Sequence, residues 1–303
     1  MIQTPGPGLY PNTPDTVYHS WAGASQSRLK VLKDRSPAHL RYEMDHPKEP
    51  TPAQIVGSAI HDAILLPDVF KDRYAAAGQC EAITGKGTRC TNTGSVSHGG
   101  RWFCGVKGHD PGGLPDQAVV LPASDYAACI GIRDRVWQHP DAQVLLDCQR
   151  KELSAIWDDE GSGVRCKGRL DGLSDDGQIV VDIKSTTDAS KGAFSSAIYN
   201  YGYYVQAAHY LRGANTLEIP AKMFGIIAVE KEPPYELAVY EVHGEAIDAG
   251  VVELRPLLEL YRQCLETDTW PGYPEGAIPI TLPPWAWRQV EQRAREAKEE
   301  AEA

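Results

Sequence analysis

The chain has 303 residues, of which 42% are hydrophobic and 23% are charged, and its formal net charge is −11 at pH 7. This composition is ordinary for a globular protein, and the acidic balance argues against coating nucleic acid through global charge, although a local basic groove can still contact DNA. No apolar run approaches the length that crosses a bilayer, and the N-terminus lacks a leader pattern, so we expect an intracellular protein.

The first 50 residues are predicted to form an extended arm, rich in Pro and Gly, followed by short helices. Thr51-Pro52 is a typical helix start, and apolar residues then recur at helical spacing. On this helix Gly57 and His61 lie one turn apart on the same face. Either His61 completes a metal shell, or it is a hydrogen-bonded core residue; the pattern leaves both interpretations open.

The segment 80–109 is rich in glycine and poor in aliphatic residues, so it cannot build a sizeable core of its own. Three cysteines and a histidine supply the four tetrahedral ligands that are typical of structural Zn²⁺. The predicted zinc ligands are Cys80, Cys90, Cys104 and His109, with His98 as the substitute for His109. Four basic side chains of this segment either contact a DNA backbone or are solvating charges: Lys86, Arg89, Arg101 and Lys107.

Further along the chain, apolar residues flank Asp176-Gly177, a dipeptide that suits a tight hairpin turn. With these two residues as the loop, Asp171 lies opposite Asp182 on one face of the sheet, with side chains starting roughly 5 Å apart. Two bare carboxylates would repel each other there, so a divalent cation is the natural partner. Strand alternation returns Lys184 to the same face and turns the residues on either side of Asp182 into a core.

A carboxylate pair with an ammonium group is suited to phosphodiester hydrolysis, in which metal ions activate water and the lysine orients it or offsets developing charge. An exposed hairpin with solvated charges is the alternative. Glu152 precedes the hairpin and is either another ligand or an edge-strand charge. On a later helix Gln206 and Tyr210 share one face, where they contact a phosphate, a base or a metal-bound water, or else belong to a buried aromatic cluster.

The order of these pieces resembles the PD-(D/E)xK nuclease superfamily, and in particular its RecE-type branch, which contains exonuclease VIII and phage relatives. The likeness covers about residues 10–287 and is interrupted by the cysteine segment. Other stretches that add to it are Tyr18-His19, Ser25-Gln26-Ser27-Arg28-Leu29-Lys30, Ser36-Pro37-Ala38, Trp270-Pro271-Gly272-Tyr273 and Leu282-Pro283-Pro284-Trp285.

The resemblance implies an α/β (α+β) fold: a restriction-endonuclease-like core with a central mixed sheet flanked by helices, carrying a small Cys/His zinc-binding insert. The implied organisation is an N-terminal arm with helices at 1–50, a nuclease domain at 51–287 interrupted by the insert at 80–109, and a charged C-terminal tail at 288–303.

The resemblance also assigns roles to individual residues. By that likeness His61, Asp171, Asp182 and the Ile183 carbonyl hold Mg²⁺ or Mn²⁺, and Lys184 is the catalytic lysine. The helix motif beside the site is Gln206 with Tyr210, and Glu152 matches an acidic position before the hairpin.

The implied activity is metal-dependent 5′–3′ digestion of linear double-stranded DNA, which leaves 3′ single-stranded tails for recombination by strand annealing. DNA ends, a RecT-like annealing protein and further copies in a ring, such as a tetramer, are the implied partners, in the cytoplasm of a bacterial host cell. The alternatives are a sequence- or structure-specific endonuclease of the same fold, a catalytically silent DNA-binding relative, and a zinc-dependent protein-interaction module.

Overall fold

A computed structural model describes residues 3–302 apart from 86, 87, 89, 95, 99, 100, 105 and 107–117, and gives only the backbone of 96–98, 301 and 302. The helices are α1 (Asp15–Ser20), α2 (Gln26–Asp34), α3 (Pro37–Asp45), α4 (Pro52–Leu65), α5 (Pro67–Arg73), α6 (Ala123–Gln138), α7 (Pro140–Leu146), α8 (Lys191–Asn200), α9 (Tyr203–Thr216), α10 (Gly244–Thr267) and α11 (Pro284–Glu302). The strands are β1 (Gly8–Tyr10), β2 (Tyr74–Ala76), β3 (Val96–His98), β4 (Arg101–Phe103), β5 (Val119–Leu121), β6 (Arg150–Asp158), β7 (Arg165–Leu173), β8 (Ile179–Thr186), β9 (Met223–Glu230) and β10 (Leu237–Glu241).

A six-stranded sheet in the order β1-β6-β7-β8-β9-β10 forms the centre of the fold. Its neighbouring strands are antiparallel except for β8 and β9, which are parallel and are joined through α8 and α9. A parallel pair needs such a crossover, whereas the antiparallel pairs are joined by short turns or bring distant segments together. The predicted fold class, a mixed sheet flanked by helices, is confirmed.

Two hydrophobic cores cover the two faces of this sheet. One contains apolar residues of α2, α9 and α10 with the buried face of β6, and the other contains residues of α4, α6 and α7. Val181 and Ile183 of β8 belong to the second core, as strand alternation predicts, which leaves Asp182 on the opposite face. Strand β8, which carries Asp182 and Lys184, therefore lies between the two hydrophobic cores.

The hairpin between β7 and β8 has the predicted register but a longer loop. Leu173 pairs with Val180 and Gly172 with Val181. Between the strands, the Ser174 carbonyl accepts the Gly177 N–H at 2.8 Å and closes a tight turn, in which Gly177 has φ +76°. The predicted two-residue loop at Asp176-Gly177 is wrong, because strand pairing ends at Leu173 and Val180 and residues 174–179 lie between them. The stretch between the paired residues is longer by two residues on each side, so the register of the strands is unchanged.

The N-terminal arm joins the central sheet. Gly8, Leu9 and Tyr10 pair with Ile156, Ala155 and Ser154 as an antiparallel edge strand. Tyr10 then packs edge-on against Trp21 with ring centroids 5.4 Å apart. The arm is therefore held by backbone hydrogen bonds and aromatic contacts.

The cysteine segment is inserted between two short strands that pair with each other. Tyr74–Ala76 and Val119–Leu121 run parallel and bring the two ends of the insert together. Within it, β3 and β4 form an antiparallel hairpin. A Cβ atom on Gly78 would lie 2.2 Å from the Trp102 ring, so this tryptophan packs directly on the backbone at the start of the insert.

The chain divides into two compact units, Met1–Trp270 and Pro271–Ala303. The central sheet and its helices belong to the first unit. In the second, the segment predicted as a charged tail from residue 288 is part of α11, which already begins at Pro284. In the described part of the chain, every helix is too short or too polar to cross a membrane.

Candidate active site

Helix α4 positions His61 in the middle of the first unit. Thr51 accepts the Gln54 N–H through its side chain, and the Gln54 side chain accepts the Thr51 N–H in return, so the helix begins with a capping box. Three turns later His61 faces the central sheet, with its Nδ1 3.3 Å from Asp171 Oδ2. At Gly57, one turn earlier, no described atom outside the adjoining backbone of α4 lies within 4 Å of the position that a Cβ would occupy, so this face of α4 is open.

Asp171 lies where β7 and β8 separate. The backbone pairing of the two strands ends at Gly172 and Val181. Beyond this pair, a side chain takes the place of a backbone carbonyl, because Asp171 Oδ2 accepts the Ile183 N–H at 2.7 Å. Burial raises the pKa of Asp171, but His61 outweighs this effect and holds the pKa below its usual range. Asp171 is therefore an anion held between a backbone donor and an imidazole.

Glu152 of β6 lies at the register position opposite Asp171, between the pairs Lys151–Gly172 and Leu153–Leu170. Its φ is +47°, in the left-handed region that a residue with a side chain rarely adopts. Such strain persists only where the surrounding structure imposes it, and it is concentrated at functional sites. Burial and the Asp171 carboxylate raise the pKa of Glu152 to about 7.

His61, Glu152 and Asp171 form a cluster whose potential ligand atoms all lie within 4.8 Å of one another. Burial alone would lower the pKa of His61, but the two carboxylates, chiefly Asp171, raise it to about 9. The cluster thus attracts positive charge strongly. A divalent cation fits this donor set, because carboxylate oxygens are preferred ligands of Mg²⁺ and Mn²⁺, and imidazole suits Mn²⁺ better than Mg²⁺.

Asp182 faces two different partners. Its Oδ1 accepts a hydrogen bond from Gln206 Nε2 at 2.7 Å, and its Oδ2 lies 2.6 Å from Lys184 Nζ. Burial and Asp171 raise the pKa of Asp182, whereas the Asp182 carboxylate counteracts burial and raises the pKa of Lys184. Asp182 Oδ2 is buried and faces the Lys184 ammonium, so a metal ion bound at this oxygen would share it with the lysine.

The predicted metal ligands therefore do not all lie in one cluster. His61 and Asp171 lie together as the sequence predicts, with Glu152 as the third member. Asp182 instead forms an ion pair with Lys184, and the Ile183 N–H, on the same residue as the predicted carbonyl ligand, is bonded to Asp171. The site presents one carboxylate cluster and one carboxylate–ammonium pair, side by side.

Tyr210 supports the site through packing. It is 8% exposed, and its ring covers Gly168, where a Cβ would lie 2.8 Å from the ring. Burial raises the pKa of Tyr210 well above its usual value, so the phenol stays protonated. Of the predicted helix pair, Gln206 contacts Asp182 directly, whereas Tyr210 fixes the backbone of β7 before Asp171.

Two residues near the site were not predicted from the sequence. Tyr203 places its ring 4.7 Å from Lys184 Nζ, a cation–π contact. Arg169 lies 3.9 Å from Glu152 Oε2, and it also forms an ion pair with Asp15 of α1 and stacks on Tyr18 at 4.5 Å. The available signals were the tyrosine-rich stretch around the start of α9 and the arginine two residues before Asp171.

The insert holds a second cluster, formed by Cys80, Cys90 and Cys104, whose sulfur atoms lie within 4.8 Å of one another. Cys90 Sγ and Cys104 Sγ are 3.9 Å apart. A disulfide would be near 2 Å, whereas two sulfurs on one tetrahedral Zn²⁺ with bonds of about 2.3 Å are separated by about 3.8 Å. The spacing therefore fits a shared metal ion.

Asn92 donates hydrogen bonds to this cluster, from its backbone N to Cys90 Sγ at 3.4 Å and from its side chain to Cys104 Sγ at 3.6 Å. The Asn92 N–H lowers the pKa of Cys90, but burial and the neighbouring thiols outweigh it and raise the pKa overall. A cation among the sulfurs would remove that repulsion. The predicted fourth ligand His109 lies outside the described residues, as does the side chain of the substitute His98.

Of the basic residues of the insert, Arg101 is exposed and forms an ion pair with Glu81 at 3.1 Å. Lys86, Arg89 and Lys107 lie outside the described residues. The predicted basic contact surface of the insert therefore stays a prediction.

Comparison with solved structures gives a match that covers most of both chains. A crystal structure of a protein from Eubacterium rectale, named "Putative exonuclease", superposes with a TM-score of 0.54, covering 85% of this chain and 90% of that chain at 13% identity. At this identity the likeness concerns the fold. The crystal structure of SSO0001 covers 39% of this chain and 50% of its own at 15% identity, and its TM-score of 0.25 supports no conclusion. No curated protein sequence matches the chain.

A family profile matches residues 116–280, just over half of the chain, and is described as a PDDEXK-like domain of unknown function, DUF3799. The matched span contains Glu152, Asp171, the Asp182–Lys184 pair and Gln206, whereas His61 and the cysteine cluster lie before it. The predicted membership of the PD-(D/E)xK superfamily is confirmed. The chain belongs to the family of this PDDEXK-like domain.

Proposed function

We propose that this protein is a metal-dependent deoxyribonuclease, and specifically a 5′–3′ exonuclease on linear double-stranded DNA. The observation that carries the proposal is the ion pair of Asp182 and Lys184 on β8, directly beside the carboxylate–imidazole cluster. An ammonium group next to a cation-binding cluster is suited to hydrolysis of an anionic ester, because both stabilise negative charge.

In this proposal His61, Asp171, Asp182, Glu152 and the Ile183 carbonyl are the groups that hold Mg²⁺ or Mn²⁺. The bound ion would polarise the phosphate and make water a better nucleophile. Gln206 fixes the rotamer of Asp182 through the 2.7 Å hydrogen bond, and Tyr203 covers the ammonium of Lys184. Lys184 thereby keeps its charge and orients water or offsets charge on the phosphate.

The exonuclease assignment rests on the resemblance to RecE-type enzymes and agrees with the name of the E. rectale protein. It extends to a role in recombination: digestion leaves 3′ single-stranded tails, a RecT-like protein anneals them, and the nuclease acts as a ring-shaped homo-oligomer in a bacterial cell infected by a phage or carrying a prophage. A structural Zn²⁺ on Cys80, Cys90, Cys104 and His109 completes the proposal, since thiolates and imidazole are its usual ligands.

The test compares linear and covalently closed circular duplexes of the same sequence, each incubated with purified protein in Mg²⁺ and in EDTA. We expect loss of the linear form alone, with early release of 5′-labelled nucleotides and only in Mg²⁺. Asp182→Asn should be inactive, whereas Asp176→Asn, on the exposed turn of the same hairpin, should stay active.

Two other outcomes would overturn this assignment in different ways. Cutting of the circle identifies an endonuclease of the same fold. Absence of hydrolysis of both substrates in Mg²⁺ and in Mn²⁺ would favour a catalytically silent DNA-binding relative or a zinc-dependent protein-interaction module.

A further inference from the structure

A groove of about 640 Å³ opens beside the candidate active site. Its lining includes Ser185, Thr186 and Thr187, which directly follow Lys184 along the chain. Tyr203 belongs to both features, because its ring lies 4.7 Å from Lys184 Nζ and also lines the groove. The groove is therefore continuous with the site at which the proposed hydrolysis takes place.

One wall of the groove carries an exposed aromatic platform. Tyr201 stacks on Tyr203 with ring centroids 5.6 Å apart and an angle of 28° between the planes. Tyr201 is 55% exposed, so one part of this ring pair faces solvent. Between the two tyrosines, where α8 gives way to α9, Gly202 adopts φ +71°, a left-handed conformation that glycine adopts without strain.

The charges of the groove do not favour a duplex backbone. Among the described residues that line it, the charged ones are Asp188 and Lys231, one of each sign. Binding of a duplex through its phosphates requires several unpaired cations. An unpaired strand exposes its bases as well as its phosphates, and aromatic rings that stack on the bases then add to the contribution of the cations. In this groove Tyr201 supplies the exposed ring, and the cations are Lys231 in the lining and Lys184 beside Tyr203.

We propose that this groove binds an unpaired segment of the DNA strand being cleaved, with a base stacked on Tyr201. The proposal rests on the proposed function for the identity of the substrate, and it adds that the strand separates from its complement before it reaches Lys184. Ser185, Thr187 and Asn200 supply hydroxyl and amide groups along the path of the strand.

The structure supplies a matched control. Tyr199 is two residues from Tyr201 and is 67% exposed, but its ring stacks on Tyr204 and lies 5.5 Å from Lys33 Nζ. It does not line the groove. Removal of either ring therefore deletes an exposed tyrosine from the same segment, and only one deletion affects the proposed platform.

The experiment measures anisotropy of a 3′-labelled oligomer of eight thymidines and of an abasic oligomer of the same length, in Ca²⁺, with a gel to confirm that the strand stays intact. Wild type should prefer the thymidine oligomer by about 5-fold to 100-fold, the range expected for stacking of one base. Tyr201→Ala should abolish this preference, whereas Tyr201→Phe and Tyr199→Ala should keep it. Thermal melting confirms that each variant is folded.

The proposal is overturned if wild type does not distinguish the two oligomers, or if Tyr201→Ala keeps the full preference. Hydrolysis of linear duplex in Mg²⁺ is measured separately. Hydrolysis with an unchanged preference in Tyr201→Ala would refute the groove and leave the nuclease assignment intact. A Tyr201-dependent preference without hydrolysis under any metal would refute the nuclease assignment and leave the strand-binding groove.

Discussion

The carboxylate site and the cysteine cluster are both candidate metal centres, but they are built in different ways. His61, Asp171 and Asp182 project from a helix and from strands packed between two hydrophobic cores. Cys80, Cys90 and Cys104 lie at loop positions of the insert, where packing depends on Trp102 and a few short strands. The first site is shaped by the fold, whereas the second can shape the segment that carries it.

Because of this difference, a metal ion at the first site can serve catalysis, whereas one at the second site can serve the folding of the insert. A site held by the core keeps its geometry when its ion exchanges, as catalysis requires. A loop site with few apolar contacts gains its order from the metal, since the binding free energy of structural zinc is also folding free energy. We therefore expect loss of the first ion to remove activity and loss of the second to loosen the insert.

The largest expected effect comes from Asp182→Asn, which removes the charge between Lys184 and Gln206. Hydrolysis of linear duplex should fall by about 10³-fold or more, because metal binding and charge stabilisation are both weakened. Calorimetric titration with Mn²⁺ should show weaker binding, while circular dichroism stays that of wild type. Turnover near the wild-type rate would remove Asp182 from the site.

Lys184→Ala distinguishes metal binding from catalysis. We expect loss of activity by about 10²- to 10³-fold, since one charge-stabilising group is removed, with Mn²⁺ binding retained. Lys191→Ala, at the exposed start of α8, is the matched control and should stay active. Loss of metal binding in Lys184→Ala would show that the lysine acts by maintaining Asp182 and is not itself catalytic.

Cys90→Ser tests the other side of the comparison. Metal analysis of the purified protein should show loss of stoichiometric zinc, and hydrogen exchange should increase in the segment between β2 and β5 while β7 and β8 stay protected. Cys264→Ser, buried in α10, should keep the zinc. Increased exchange throughout the central sheet of Cys90→Ser would contradict the proposed independence of the two sites.

The protonation of the carboxylate cluster gives a pH-dependent prediction for the protein in EDTA. The folded-state pKa is raised to about 9 for His61 and to about 7 for Glu152. The stability that His61 supplies is complete below its unfolded pKa of about 6.5 and is lost as pH rises through about 9. Urea denaturation at pH 6.5 and pH 9 should therefore show a larger loss of stability in wild type than in His61→Gln, by on the order of 1 kcal/mol.

His46→Gln, an exposed substitution on the C-terminal side of α3, serves as the control and should behave like wild type at both values of pH. An equal loss of stability in wild type and His61→Gln would show that the cluster does not titrate over this range.

An effect on stability of similar size is expected from Gly168→Ala, which tests whether packing maintains the carboxylate site. The added methyl would lie 2.8 Å from the Tyr210 ring, and overpacking of this kind costs about 1–3 kcal/mol. Gly192→Ala is the matched control, since no described atom lies within 4 Å of the added methyl and the residue is in α8. A similar melting temperature in both variants would show that Tyr210 moves aside at little cost.

Local sequence determined much of the secondary structure around the site. The capping box of α4 and the alternation along β8 follow from neighbouring residues, and the hairpin register follows from the position of the turn. The register of the hairpin could therefore be predicted, as could the clustering of three cysteines in a segment without a core, whereas the separation of β7 and β8 at Asp171 could not. These features depend on interactions over a few residues, for which chain entropy leaves few alternatives.

Tertiary structure decided which groups meet. The left-handed backbone of Glu152, the approach of His61 to Asp171 across 110 residues of sequence, and the ion pair of Asp182 with Lys184 depend on packing of both layers against the sheet. Arg169 and Tyr203 entered the site for the same reason. The pattern of residues along a helix or strand indicates which face each side chain occupies. Only the packing of the whole fold determines which distant charged group lies next to each buried charged group.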